Sequence, residues 1–208
     1  ITVLINIKMK KTLKLLLLTL LFVTNYQAFA QTPQITDGLI GYWPFNGNAN
    51  DASGNNRHGN VISATLTTDK EGNADNAYNF MWGAYIKIEN MPQLTNAFSF
   101  SLWIKPYSTQ GTQYPTLFAY QNNTWGLIFQ GRTYPNNISL LSIDSWGWGC
   151  DNSTGFNVDT WQHFVVTWDA ISGELRYYKN GTLTATCSNN TQELTSILQG
   201  SELKIGVQ

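Results

Sequence analysis

Charge and sulfur are both scarce in this chain. Its 208 residues include 12 Lys+Arg, 13 Asp+Glu, two His and two Cys. Cys150 and Cys187 lie far apart, and His58 and His163 are the only histidines, so no Cys/His spacing of a zinc site exists. Beyond Lys14 there is no cluster of Lys or Arg, which argues against nucleic acid or an anionic membrane as partner. Long apolar runs are missing too. The one apolar stretch, 15–23, falls short of the ~20 residues that span a bilayer. Nowhere is a 3.6-residue periodicity sustained, which removes helical bundles.

The first thirty residues read as an export leader. Met9 is the better start, Lys10, Lys11 and Lys14 give a positive n-region, 15–23 is the apolar core, and Ala28-Phe29-Ala30 fits the small-x-small rule before Gln31. An uncleaved anchor helix is the alternative. With no Cys near the cleavage point, a lipid-modified N-terminal cysteine is excluded. Lys8, Lys10, Lys11 and Lys14 are the only charges in 1–30, so residues 31–208 keep 8 basic against 13 acidic groups, a net of −5. The expectation is a secreted, periplasmic or cell-surface protein, with no membrane insertion once the leader is removed. In such a compartment a Cys150–Cys187 bridge is the economical reading, worth about 3–4 kcal/mol in the chain-entropy model. Two free buried thiols are the alternative.

What the chain does have is β-type sequence, punctuated by turns. A linker, 31–37, leads to a first strand at 38–43, and a loop of Asn, Gly, Asp and Ser fills 46–60. Short runs follow at 78–80, 84–89, 98–105, 116–120, 125–130, 138–143, 161–168, 174–179, 182–187 and 202–207. Helix is expected only as one turn near 191–198. Phe98, Phe100, Leu102 and Ile104 alternate with Ser99, Ser101, Trp103 and Lys105, giving one apolar face for a partner sheet. In 161–168 both faces are apolar or aromatic, which suits a central strand. Asn180-Gly181 marks a tight turn. The spacing predicts an all-β, two-sheet antiparallel sandwich in a single domain over 38–208.

Three segments carry a resemblance. Gly38–Gly59, with Asp51-Ala52-Ser53-Gly54-Asn55 and His58-Gly59, is one. The others are Phe98–Pro106, and Trp161–Asp169 followed by Tyr178-Lys179-Asn180-Gly181. Together they resemble the LamG-like jelly-roll domains of the concanavalin A-like lectin/glucanase superfamily. The resemblance implies a jelly-roll that binds glycans or proteins. Such domains usually continue past the Leu203-Lys204-Ile205-Gly206 strand with a final aromatic strand. Its lack here implies a C-terminally truncated sandwich with an unfilled slot and an unpaired edge.

Because that superfamily includes glucanases, catalysis is the first chemistry to weigh. Retaining glycosidases need two carboxylates about 5 Å apart. The relatives' acidic run has only Ser142-Ile143-Asp144-Ser145-Trp146 as its counterpart, and the five glutamates look scattered. No Gly-x-Ser-x-Gly elbow is present. No catalytic residue is expected, and a glucanase-branch hydrolase is the alternative. Calcium is the best cofactor candidate, because hard cations want six to eight oxygens and Asp51, Asn46, Asn48 and Asn55 lie in one Gly-containing loop. The resemblance also implies structural calcium there; Asx-turns are the competing reading. For ligand, Trp146 and Trp148 flank glycines beside Asp151 and Asn152, with Trp125, Tyr114 and Tyr134 able to join. That pattern suits a glycan platform. Trp103, Trp161 and Trp168 read as core anchors. The expected function is an exported, non-catalytic module for a glycan or extracellular protein, or else a purely structural adhesion module.

Overall fold

The computed structural model describes residues 36–81, 83–94, 97–107, 116–121, 126–134, 137–143, 152–188 and 202–206. The chain divides into Ile1–Leu39 and Ile40–Gln208. In the first unit, Leu39 N–H donates to Thr36 O (3.3 Å). The expected leader, and the helical turn near 191–198, lie outside the described residues.

The second unit is all-β. Its strands are β1 (Gly59–Ile62), β2 (Thr65–Thr67), β3 (Ala77–Asn79), β4 (Tyr85–Glu89), β5 (Ala97–Ile104), β6 (Thr116–Gln121), β7 (Gly126–Tyr134), β8 (Asn137–Ile143), β9 (Asn152–Phe156), β10 (Gln162–Asp169), β11 (Glu174–Lys179), β12 (Thr182–Ser188) and β13 (Glu202–Ile205). One sheet has seven strands in the order β1-β4-β13-β6-β7-β8-β9, a second has four in the order β12-β11-β10-β5, and β2 and β3 form a separate hairpin. Pairing between these strands is antiparallel throughout.

Strict alternation builds the interior. On β10, Phe164, Val166 and Trp168 are buried, while His163, Val165 and Thr167 between them are not. β4 buries Ile86 and Ile88 in the same way, and β11 buries Leu175 and Tyr177. The sheets meet through aromatic contacts. Phe100 of β5 lies 4.5 Å from Phe118 of β6, and Phe156 of β9 lies 5.7 Å from Phe164 of β10, edge to face. Each such side chain contributes about 1.5–3 kcal/mol by leaving water. The expected two-sheet jelly-roll sandwich, with β10 central, is therefore present.

Local expectations depart from the structure in instructive ways. Strands β1, β2 and β9 were not expected, because each is short and weakly apolar. Among the described residues the segment 38–43 joins no sheet, although its Ile40 and Trp43 do pack on the core. Its backbone is satisfied by a loop instead. Tyr42 O accepts from Ala52 N–H (2.7 Å), and Ile40 O accepts from the Arg57 guanidinium (2.7 Å) and the Asn55 amide (3.1 Å). β13 pairs with β4 on one side and β6 on the other. Cys187 on β12 is disulfide-bonded; Cys150 lies outside the described residues.

Candidate functional site

The loop around Asp51 is built on one carboxylate. Asp51 is 8% exposed. Its Oδ1 accepts from Tyr42 N–H (3.0 Å) and Ser53 N–H (2.8 Å), and its Oδ2 accepts from Arg57 N–H (3.0 Å). The neighbouring His58 Nδ1 accepts from Asp51 N–H (3.1 Å), which places the ring proton on Nε2. Burial acts to raise the Asp51 pKa, but hydrogen bonds from Ser53, Tyr42 and Arg57 outweigh it and bring the value from 3.8 to about 2. Gly59 closes the loop. A Cβ there would meet Ile86 Cγ2 at 2.6 Å, so only glycine lets β1 begin so close to β4.

The side chains of this loop already bond to the loop's own backbone. Asn48 Oδ1 accepts from Asn50 N–H (2.8 Å), Asn48 Nδ2 donates to Asn46 O (3.2 Å), and the Asn55 amide nitrogen donates to Ile40 O and Ser53 Oγ. The side-chain oxygens of Asp51 and Asn48 serve as Asx-type acceptors for the chain's own N–H groups. Among the described residues, no group of three or more His, Cys, Asp and Glu is placed to hold a metal.

A different cluster occupies the outer face of the four-stranded sheet. β5 alternation points Trp103 away from the core, and it is 47% exposed, which corrects its reading as a core anchor. Its register partner is His163, whose ring stacks on the indole at 5.1 Å and 30°. His163 Nε2 shares a 2.8 Å hydrogen bond with Ser101 Oγ. The Asn180-Gly181 turn fixes the histidine backbone from the other side. Asn180 N–H donates to His163 O (2.8 Å), and His163 N–H donates to Asn180 Oδ1 (2.8 Å). Both turn residues have positive φ, 49° and 78°, as a type I′ turn requires. Lys70, from the loop joining β2 to β3, lies 4.6 Å from the Trp103 ring centroid and pairs with Glu71. Burial, and then the Lys70 charge, lower the His163 pKa.

The outer face of the seven-stranded sheet differs. Glu89 and Glu202 stand directly opposite each other on β4 and β13. The sequence reading missed this pair, because nothing local reveals that β13 docks beside β4. Lys87 bridges the two, at 2.7 Å to Glu89 and 3.3 Å to Glu202, and Lys204 lies 2.9 Å from Glu202. Bonding to Lys204 lowers the Glu202 pKa, and bonding to Glu89 and then Glu202 raises that of Lys87. A glycosidase couple needs one carboxylic acid held protonated at working pH. Here the two carboxylates share a lysine, and Glu202 is pushed the opposite way.

Of the residues expected to form a glycan platform, Trp125, Trp146, Trp148 and Asp151 lie outside the described residues, as do Tyr114 and Asp144. Asn152 opens β9, where its backbone pairs with Leu140 of β8.

The described residues thus form a two-layer β-sandwich whose outer faces carry the polar clusters above. The chain belongs to the concanavalin A-like lectin/glucanases superfamily, whose family model matches residues 80–208. The Asp51 loop precedes the matched segment. Among solved structures, it is similar to domain 4 of AbnA, a GH43 extracellular arabinanase from Geobacillus stearothermophilus in complex with arabinotriose. That likeness has 19% identity and a TM-score of 0.62, covering 82% of this chain and 84% of that one. It is also similar to the HCR/D F1240A mutant, with 19% identity and a TM-score of 0.58, covering 83% of this chain and 43% of that one. Comparison with curated proteins finds no match.

Proposed function

We propose that the chain is an exported, non-catalytic binding module whose ligand is a glycan. The observation that carries this reading is the Glu89–Lys87–Glu202 arrangement. The two carboxylates that β4 and β13 bring together are each tied to a lysine, so among the described residues this pair offers no protonated carboxylic acid for hydrolysis. Support comes from the fold, since the similar arabinanase domain is seen with arabinotriose. The leader-like residues 1–30 and the disulfide-bonded Cys187 support an oxidising, extracellular setting, with Cys150 as the proposed partner.

The test pairs binding with hydrolysis on the same preparation. Retention on a glycan panel, with no release of reducing sugar, is the expected result. Trp146→Ala combined with Trp148→Ala tests the surface read from Trp125, Trp146, Trp148, Asp151 and Asn152. Sugar release that Glu202→Gln abolishes would establish a hydrolase. Silence on the panel, with capture of a purified surface protein, would make it an adhesion module.

A further inference from the structure

Trp103 has a surrounding that differs from every other exposed apolar side chain among the described residues. Tyr42, Met81, Tyr107, Ile171 and Leu183 are also exposed, but Trp103 alone among them is held by a stacked neighbour whose own ring and backbone are fixed by hydrogen bonds. The residues around it are polar. Row by row across β5, β10 and β11, the outer face reads Trp103 and His163, then Ser101, Val165 and Tyr178, then Ser99, Thr167 and Arg176. Arg176 is paired with Glu174 and Lys70 with Glu71, while Lys105 and Asp169 lie at the two ends of this face. An aromatic surface about one ring wide, bordered by hydroxyl and imidazole groups, does not suit a protein partner. Protein interfaces need a contiguous apolar centre of several hundred Å². It matches a neutral sugar ring, which has an apolar C–H face and a rim of hydroxyls.

We propose that the outer face of the four-stranded sheet is a neutral-saccharide site, with the Trp103 indole as stacking platform and Ser101 and His163 as hydrogen-bonding partners. The proposal rests on the glycan-binding reading but names a surface other than the Trp146–Trp148 segment. Lys70 lies over the indole in the free protein. Its tie to Glu71 is an exposed ion pair between adjacent residues, weak enough for an arriving ring to displace. His163 serves as a neutral partner because burial and Lys70 both disfavour its protonated form. Tyr178 lies two strands and one row from Trp103, about 12 Å away at ordinary strand spacing and rise, within reach of a longer oligosaccharide.

The deciding experiment measures affinity for three soluble neutral polysaccharides, a linear arabinan, a β-glucan and a mannan. The proteins compared are the full chain, Trp103→Ala, Trp103→Phe and the Trp146→Ala/Trp148→Ala double variant. Trp103→Ala should weaken binding about tenfold or more, and Trp103→Phe should keep it within about threefold, because a six-membered aromatic face remains. Thermal midpoints of the three variants certify folding. Parent-like binding by Trp103→Ala overturns this site and leaves the glycan reading intact, the more so if the double variant loses binding. If the parent chain binds none of the three, the site and the broader reading both fail. Capture of a protein at the Trp103 face, abolished by Trp103→Ala without any saccharide binding, also overturns it.

Discussion

The Asp51 loop and the Trp103 face use the same materials toward opposite ends. Each is organised by a few short polar contacts around one large or charged side chain. In the loop the central group is buried, and the contacts face inward from Tyr42, Ser53 and Arg57. On the sheet, contacts from Ser101 and Asn180 fix His163, and the indole stacked against it is left in water. A polar network that encloses its hub contributes stability, whereas one that presents its hub prepares a surface for a ligand. The two regions should therefore respond to mutation in different currencies.

Asp51→Ala gives the largest expected effect. It leaves three backbone N–H groups around a nearly buried site without their acceptor. Orphaned donors cost about 1–3 kcal/mol each and are not additive, so a loss of about 3 kcal/mol in a denaturant melt is expected. Saccharide affinity per folded molecule should not change. If Asp51→Ala abolished binding while leaving the melt intact, the division between the two regions would collapse.

Acid titration sharpens the same point. A carboxyl whose pKa falls from 3.8 unfolded to about 2 folded contributes about 2 kcal/mol, at 1.36 kcal/mol per pH unit. The folded value is the depressed one, so the contribution is complete above about pH 4 and is lost as pH falls toward 2. Asp51→Asn should flatten that limb of the stability profile; an unchanged acid limb would mean the carboxylate is not the hub.

Much of this was legible in the sequence, and the gaps have physical causes. The alternation of Phe98, Phe100, Leu102 and Ile104 already placed Trp103 on the far side of β5. Its exposure was nonetheless set aside, because large aromatics are usually buried in sandwiches. Asn180-Gly181 announced its turn, but not that the turn would clasp His163. By contrast, the Glu89–Glu202 pair was invisible. Strand register follows from three-dimensional order, and β13 joins β4 across more than a hundred residues of chain. The segment 38–43 misled for the converse reason. Its β-type residues do reach the core, yet its backbone partners are the Asp51, Arg57 and Asn55 side chains, which no strand pattern predicts.

Trp103→Ala should move the melt less than Asp51→Ala. Removing a half-exposed indole forfeits one ring stack and one surface cation–π contact, so the expected change is about 1–2 kcal/mol, below that of Asp51→Ala. A larger loss would make Trp103 a structural residue and erase the contrast with Asp51. Glu202→Gln should be milder still. Lys87 keeps Glu89 in that variant, and partly exposed ion pairs are worth about 0–1 kcal/mol, so raised salt should reproduce most of the effect.

The smallest expected effect is the most discriminating for the loop. A calcium ion at Asp51, Asn46, Asn48 and Asn55 would need oxygens that now accept from Tyr42, Ser53, Arg57 and Asn50 N–H groups. Binding it would mean sharing those oxygens in a partly buried site, for a cation that gains only one carboxylate charge. The N–H groups already provide the positive ends that a cation would otherwise supply. Addition of calcium, or of EDTA, should accordingly leave the thermal midpoint of the parent chain where it is. A midpoint raised by calcium in the parent and not in Asp51→Asn would show that the loop rearranges around a cation, and that its hydrogen bonds are those of a resting state rather than a finished hub.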